Sequence, residues 1–142
     1  MAMRTIRLPR RGKLSPAGIL LWYMRALAVY YFVSGLNHWA MIIGLTGDFG
    51  AAPTHWQVAH IYFAVVELAA ALGLWFGASW GVAAWLFCAV AELVMMNGFT
   101  ELFGQSWPTT VFHAGTILVY IGLAWWSGSP GNTGEVLRLP ED

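Results

Sequence analysis

The chain has 142 residues, of which 58% are hydrophobic and 10% charged, with nine Trp and a formal net charge of zero. So few polar residues cannot cover a soluble globule, so the composition excludes a water-soluble domain and indicates an integral membrane protein. The cations are segregated: Arg4, Arg7, Arg10, Arg11, Lys13 and Arg25 lie near the start, and Arg138 is the only other one.

The leader, residues 1–17, is basic and has no interleaved aromatic residues. Arg4, Arg7, Arg10, Arg11 and Lys13 therefore suit anionic lipid and act as a topology determinant, with no nucleic-acid partner implied. Four apolar runs follow, at roughly 18–44, 55–76, 80–98 and 109–127, each near the ~20 residues that a helix needs to cross the hydrocarbon core. The first run is too long for a cleavable signal and lacks a small-residue cleavage pattern, so it is expected to stay as an anchor. The expected fold is all-α: a polytopic membrane protein with an antiparallel bundle of four transmembrane helices. The positive-inside rule places the leader in the cytoplasm, and four crossings return Arg138 to the same side. The expected location is the bacterial inner membrane, with both ends inside. The last residues, 128–142, are Gly- and Pro-rich and are expected to form a flexible cytoplasmic tail.

Local punctuation agrees with these spans. Ser15 before Pro16 suits an N-cap, and Thr54 with Gln57 three residues on suggests a capping box. Gly44 and Gly77 suit helix ends, Ser79 an N-cap, and Pro108 a helix start. The connection "GASWG" at 77–81 is so short that spans two and three must be antiparallel neighbours. Trp22, Trp75, Trp80, Trp125 and Trp126 fall at one interface and Trp39, Trp56 and Trp107 at the other, with Trp85 about a turn deeper. Cys88 is the only cysteine, which excludes an intramolecular disulfide and a cysteine metal site.

Polar residues within the spans are where function concentrates. Glu67 and Glu92 lie deep on spans two and three, in the related settings "VVEL" (65–68) and "VAEL" (90–93). No Lys or Arg shares their depth. At least one of the two is expected to carry its proton at neutral pH, hydrogen-bonded to Tyr30, Tyr31 or Tyr120. Helical phase groups Glu67 with His60, Ala64, Ala70 and Ala71, and Glu92 with Ala84, Cys88 and Ala91. Small residues mark close helix contacts in membranes, so both acids are expected to face protein. His38, His60 and His113, on three different helices, fall at one level, about 6–9 Å below the non-cytoplasmic surface. Such a layer suits a metal, a haem between two helices or a quinone headgroup, although the sequence requires no cofactor. Interfacial hydrogen bonding to water, lipid or backbone explains the same histidines without a ligand.

An Arg near the inner end of span one, "YFVSGLNHW" at 31–39 and "ELAAALGLWFGASWG" at 67–81 together resemble the DoxX-like group of small four-helix bacterial membrane proteins and alphaproteobacterial relatives of the same layout. Some members of that group accompany quinone-linked redox enzymes, so the resemblance implies a bioenergetic membrane. Where the group carries a Lys after the Gly-Leu of span one, this chain has Asn37 and His38. Three functions stay open. The first is a non-catalytic accessory or assembly subunit that packs against other membrane subunits or itself. The second is a redox, metal- or quinone-binding protein using the histidine layer. The third is a proton-coupled carrier or channel built on Glu67 and Glu92, with Tyr31 and Tyr120 as further polar groups.

Overall fold

The computed structural model describes residues 3–8, 15–128 and 135–140. Within the central stretch the chain is helical, in the order α1 (Pro16–Ile42), a short 3-10 turn (Phe49–Ala51), α2 (Thr54–Trp75), α3 (Ser79–Gly98), the single turn α4 (Thr100–Phe103) and α5 (Trp107–Gly128). Four of these, α1, α2, α3 and α5, are long and apolar enough to cross a membrane. Their ends lie within two residues of the hydropathy boundaries. Two short strands, β1 (Met3–Leu8) and β2 (Glu135–Pro140), pair antiparallel with Met3 opposite Pro140 and Leu8 opposite Glu135. β2 falls within the segment 128–142 expected to form a flexible tail, of which 135–140 are the described residues after Gly128. Arg10, Arg11 and Lys13 of the leader lie outside the described residues.

The chain divides into two contact units, Met24–Ile117 and the outer pair Met1–Tyr23 with Leu118–Asp142. The outer unit joins the first turns of α1, the last turns of α5 and the strand pair. The central unit holds α2, α3, most of α1 and the first half of α5, and with them both polar chains described below.

The helix ends follow from identifiable backbone chemistry. Ser15 caps α1 by accepting a hydrogen bond from the Gly18 amide at 3.1 Å. Both α1 and α2 end in a Schellman motif around a left-handed glycine, a conformation that other residues adopt at a steric cost. At Gly44 (φ 80°) the Leu45 amide donates to the Ala40 carbonyl at 2.8 Å, and at Gly77 (φ 68°) the Ala78 amide donates to the Gly73 carbonyl at 2.9 Å. The capping box at Thr54 does not form, because Thr54 is already the first helical residue and Pro53 precedes it as the cap. Gln57 instead donates back to the Ala52 carbonyl at 2.7 Å and fastens the loop to α2. Ser79 likewise sits inside α3, after a cap at Ala78 that makes no side-chain bond. At α5 the start is fixed by Ser106, whose hydroxyl meets Thr109 Oγ1 at 2.8 Å, with Pro108 in the first turn.

Helices α2 and α3 form the tightest seam in the central unit. Gly73 and Gly81 face each other so closely that a Cβ on either would collide with the other's backbone. Small residues allow this approach, and dispersion between the backbones then replaces the hydrophobic drive that lipid cannot supply. From the seam the buried core runs through Leu74, Ala70 and Phe63 of α2, Trp85, Cys88 and Ala89 of α3, and Leu27, Ala28 and Tyr31 of α1. On α3 the buried stripe is Gly81, Trp85, Cys88 and Ala89 rather than one centred on Ala84, so Trp85 is an interior side chain. The outward faces carry large apolar groups such as Val33, Phe87, Val111 and Trp107, each at least 60% exposed, as an acyl-chain solvent requires.

Candidate functional site

The interior of the central unit is not wholly apolar. Glu67 of α2 and His113 of α5 are fully buried, and Tyr31 of α1 is buried with them. Around these three the helices deliver Ser34 and His38 from α1, His60 from α2 and Glu92 from α3. Two polar chains result.

The first chain is Tyr31, His113 and Glu92. Tyr31 Oη lies 3.2 Å from His113 Nδ1, and His113 Nε2 contacts Glu92 Oε2. One imidazole thus bridges α1, α5 and α3 with both ring nitrogens in use. If Glu92 is a carboxylate, Nε2–H donates to it and Nδ1 accepts from the tyrosine hydroxyl; if Glu92 holds the proton, both donors reverse. Every polar atom of the ring is satisfied in either state. His113 is the only residue of α5 that is buried among those described, so this bond is also the interior attachment of that helix.

The second chain is His60, His38 and Glu67. His38 Nδ1 and His60 Nδ1 are 2.7 Å apart, a hydrogen-bond distance that requires a proton on one of them. A metal at ~2.1 Å from each would hold them further apart. The other nitrogen of His38, Nε2, lies 3.8 Å from Glu67 Oε2, too far for a direct hydrogen bond and within ion-pair range. The His38 ring stacks on Phe63 with centroids 5.5 Å apart, while Trp56 lies 5.9 Å from His60. Phe63, Trp56, His60 and Glu67 recur at helical spacing along one face of α2, so this aromatic wall is visible in the sequence once the face is known.

Glu67 itself is anomalous. Its side chain is 0% exposed, and neither carboxyl oxygen has a hydrogen-bond partner in good geometry among the described residues. The Ser34 hydroxyl and the Glu92 carboxyl approach it closely enough for weak, poorly aligned hydrogen bonds. The α1 backbone covers it at Gly35, where a Cβ would meet that of Glu67 at 3.4 Å. One turn away, the indole of Trp39 donates to the Ala64 carbonyl at 3.0 Å and staples α1 to α2. Trp39 therefore does more than sit in an interfacial belt.

The three histidines expected at one level separate into these two chains. His38 and His60 meet, whereas His113 goes to Tyr31 and Glu92. Tyr31 is a network member but reaches the acids through His113. Tyr120 belongs to the outer unit and is half-buried there. Among the described residues, no group of three His, Cys, Asp or Glu side chains has the geometry to hold a metal ion. Arg4 and Arg7 fall in β1, of which only the backbone is described. At the α3–α5 end, Asn97 Nδ2 donates to Thr110 Oγ1 at 3.1 Å, a second polar link between these helices.

A family model matches residues 18–129, from the first turn of α1 to just beyond α5. The chain belongs to the DUF6163 family. That family is one of unknown function. No curated protein and no solved structure matches the chain. The matched region of this DUF6163 member contains every residue of both polar chains.

Proposed function

We propose that this chain is a proton-coupled protein of the bacterial inner membrane, with both ends in the cytosol, and that Glu67 is its proton-binding group. The observation that carries the reading is the fully buried Glu67 carboxyl, which makes no hydrogen bond in good geometry among the described residues and has Ser34, Glu92 and His38 near it. An ionised carboxylate so placed costs several kcal/mol, so the group works as a neutral acid that releases its proton only when a base approaches. His38 Nε2, 3.8 Å away, is that base. A proton that enters His38 at Nε2 leaves a different proton free to depart from Nδ1 to His60 Nδ1, so charge crosses the ring without the ring moving. Glu92, already bonded to His113, is the reference acid that fixes the helices.

The basic leader and the side-by-side pairing of β1 and β2 support the orientation. The resemblance of the 31–39 and 67–81 stretches to the DoxX-like group supports a place beside redox enzymes.

The deciding experiment is proton flux in proteoliposomes driven by an imposed potential, comparing wild type with Glu67→Gln and Glu92→Gln. The expected result is a flux above empty vesicles that Glu67→Gln abolishes. Equal flux in wild type and Glu67→Gln overturns the reading. A second reading, an accessory subunit of a larger membrane complex, is favoured by α5, which fully buries only His113 and leaves Val111, Leu118, Ile121 and Trp125 exposed. Purification from native membrane in mild detergent tests it, and a lone monomer without stoichiometric companions overturns it.

A further inference from the structure

Glu67 divides the interior of the central unit into two unlike halves. Towards the α1–α2 connection its surroundings are polar. His38 and His60 carry the second chain that way, and His60, seven residues before Glu67 on α2 and ~10 Å along the helix, is only half-buried. Towards the α2–α3 turn the interior is filled by Leu27 and Ala28 of α1, Ala70 and Leu74 of α2, and Trp85 and Ala89 of α3, each at most 5% exposed. Among these side chains only the Trp85 indole has a polar atom, and it is engaged with Tyr31. Leu74 lies seven residues beyond Glu67, again ~10 Å, beside the seam where Gly73 and Gly81 meet backbone to backbone.

The two halves differ in what they offer a proton. A packed apolar interior has few voids that hold water, and an unsolvated charge within it costs several kcal/mol. The titratable groups that face Glu67 come from α1 and α3: Tyr30 and His38 from the first, Cys88 and Glu92 from the second, with His113 of α5 behind Glu92. Of these, His38 has its second nitrogen bonded onward, to the half-buried His60. Tyr31, at the edge of the packed half, turns its hydroxyl to His113. Glu67 and His113 are the only buried polar or charged side chains among the described residues, and neither lies between Glu67 and the α2–α3 turn.

We infer that Glu67 exchanges its proton with one face of the membrane only, the face of the α1–α2 connection, through His38 and His60, and that the packed half beyond it is a dry barrier. In the orientation proposed above this is the non-cytoplasmic face. Passage of a proton from face to face then requires a second conformation in which the packed half opens, so the protein works by a carrier cycle and not as a standing pore. This sidedness rests on the proton-coupled reading, to which it adds a direction of access.

The test is deuterium exchange at the Glu67 carboxyl of the full chain, in sealed proteoliposomes of uniform orientation, followed by the isotope shift of the infrared band that Glu67→Gln removes. Water crosses the lipid freely, so the faces are distinguished by setting the pD of each independently; acid and base catalyse exchange at whichever face the carboxyl communicates with. The rate is expected to follow the pD at the α1–α2 face and to ignore that at the other. His38→Leu should slow it about a hundredfold, the lower end of what a positioned acid or base contributes to proton transfer. A rate that follows the pD of the other face or of both, or that His38→Leu leaves unchanged, overturns the inference. A wild type without the band overturns the proton-binding role of Glu67 and the inference together, whereas one-sided exchange without net flux removes transport and leaves the one-sided site standing. The comparison of the two faces in wild type decides the matter if His38→Leu fails to fold.

Discussion

Glu67 and Glu92 occupy near-identical sequence settings on neighbouring helices, yet the structure treats them differently. Glu92 bonds to an imidazole that is itself bonded to a tyrosine, and its side chain keeps 15% exposure. Glu67 is fully enclosed, has no hydrogen bond in good geometry among the described residues, and faces an imidazole from just beyond bonding distance. The first arrangement is one that stabilises a fold, because every partner is satisfied. The second costs stability, which is why the proposed function is assigned to Glu67 and not to Glu92. The contrast separates a satisfied carboxyl from an unsatisfied one without any appeal to their sequence neighbourhoods.

That contrast can be broken by measurement. The largest expected effect is from His113→Ala, which leaves Tyr31 and Glu92 without their shared partner and removes the interior anchor of α5; a loss of about 2–3 kcal/mol is expected in detergent unfolding. Glu67→Leu should move stability the other way, by about 1–2 kcal/mol, since it replaces an unsatisfied polar group with an apolar one of similar size. The same substitution at Glu92 should destabilise; if the two variants shift the unfolding midpoint in the same direction, the distinction fails. Tyr31→Phe keeps the packing and removes one hydrogen bond, for an expected loss of about 1 kcal/mol. Smallest is Trp39→Phe, which removes the indole donor to the Ala64 carbonyl and should cost about 0.6 kcal/mol, the average for interhelical bonds in lipid. An infrared carboxyl band present in wild type and Glu92→Gln, and absent in Glu67→Gln, would sharpen the assignment of the proton to Glu67.

Much of this architecture is legible in the residues. Span positions follow from hydropathy, and Gly44 and Gly77 mark helix ends because their left-handed backbone disfavours a side chain. The inward direction of Glu67 follows from its phase with Ala64, Ala70 and Ala71. What periodicity does not contain is the rotation and vertical offset of one helix against another. His113 shares an estimated depth with His38 and His60, and only packing decides that it turns toward α3 instead. The seam was half visible: Gly73 lies on a small-residue ridge of α2, but its opposite number, Gly81, lies across the turn and lacks a signal of its own. Trp85 illustrates the converse, an indole that the sequence places about a turn below the interface and that packing buries completely in the core. Thr54 and Ser79 have the right chemistry for caps and fail because the helices begin one residue earlier than the cap requires.

The Gly73–Gly81 contact bears on how the chain enters lipid. Because the two glycines lie just either side of the turn, α2 and α3 can zip together from that point as a single hairpin before α5 is available. Both acidic side chains travel on this hairpin. During biogenesis the penalty of carrying Glu67 into the bilayer thus falls on a pair of helices able to shield it, and a bulky residue at either glycine would expose that acid at the insertion step, ahead of any defect in the finished protein.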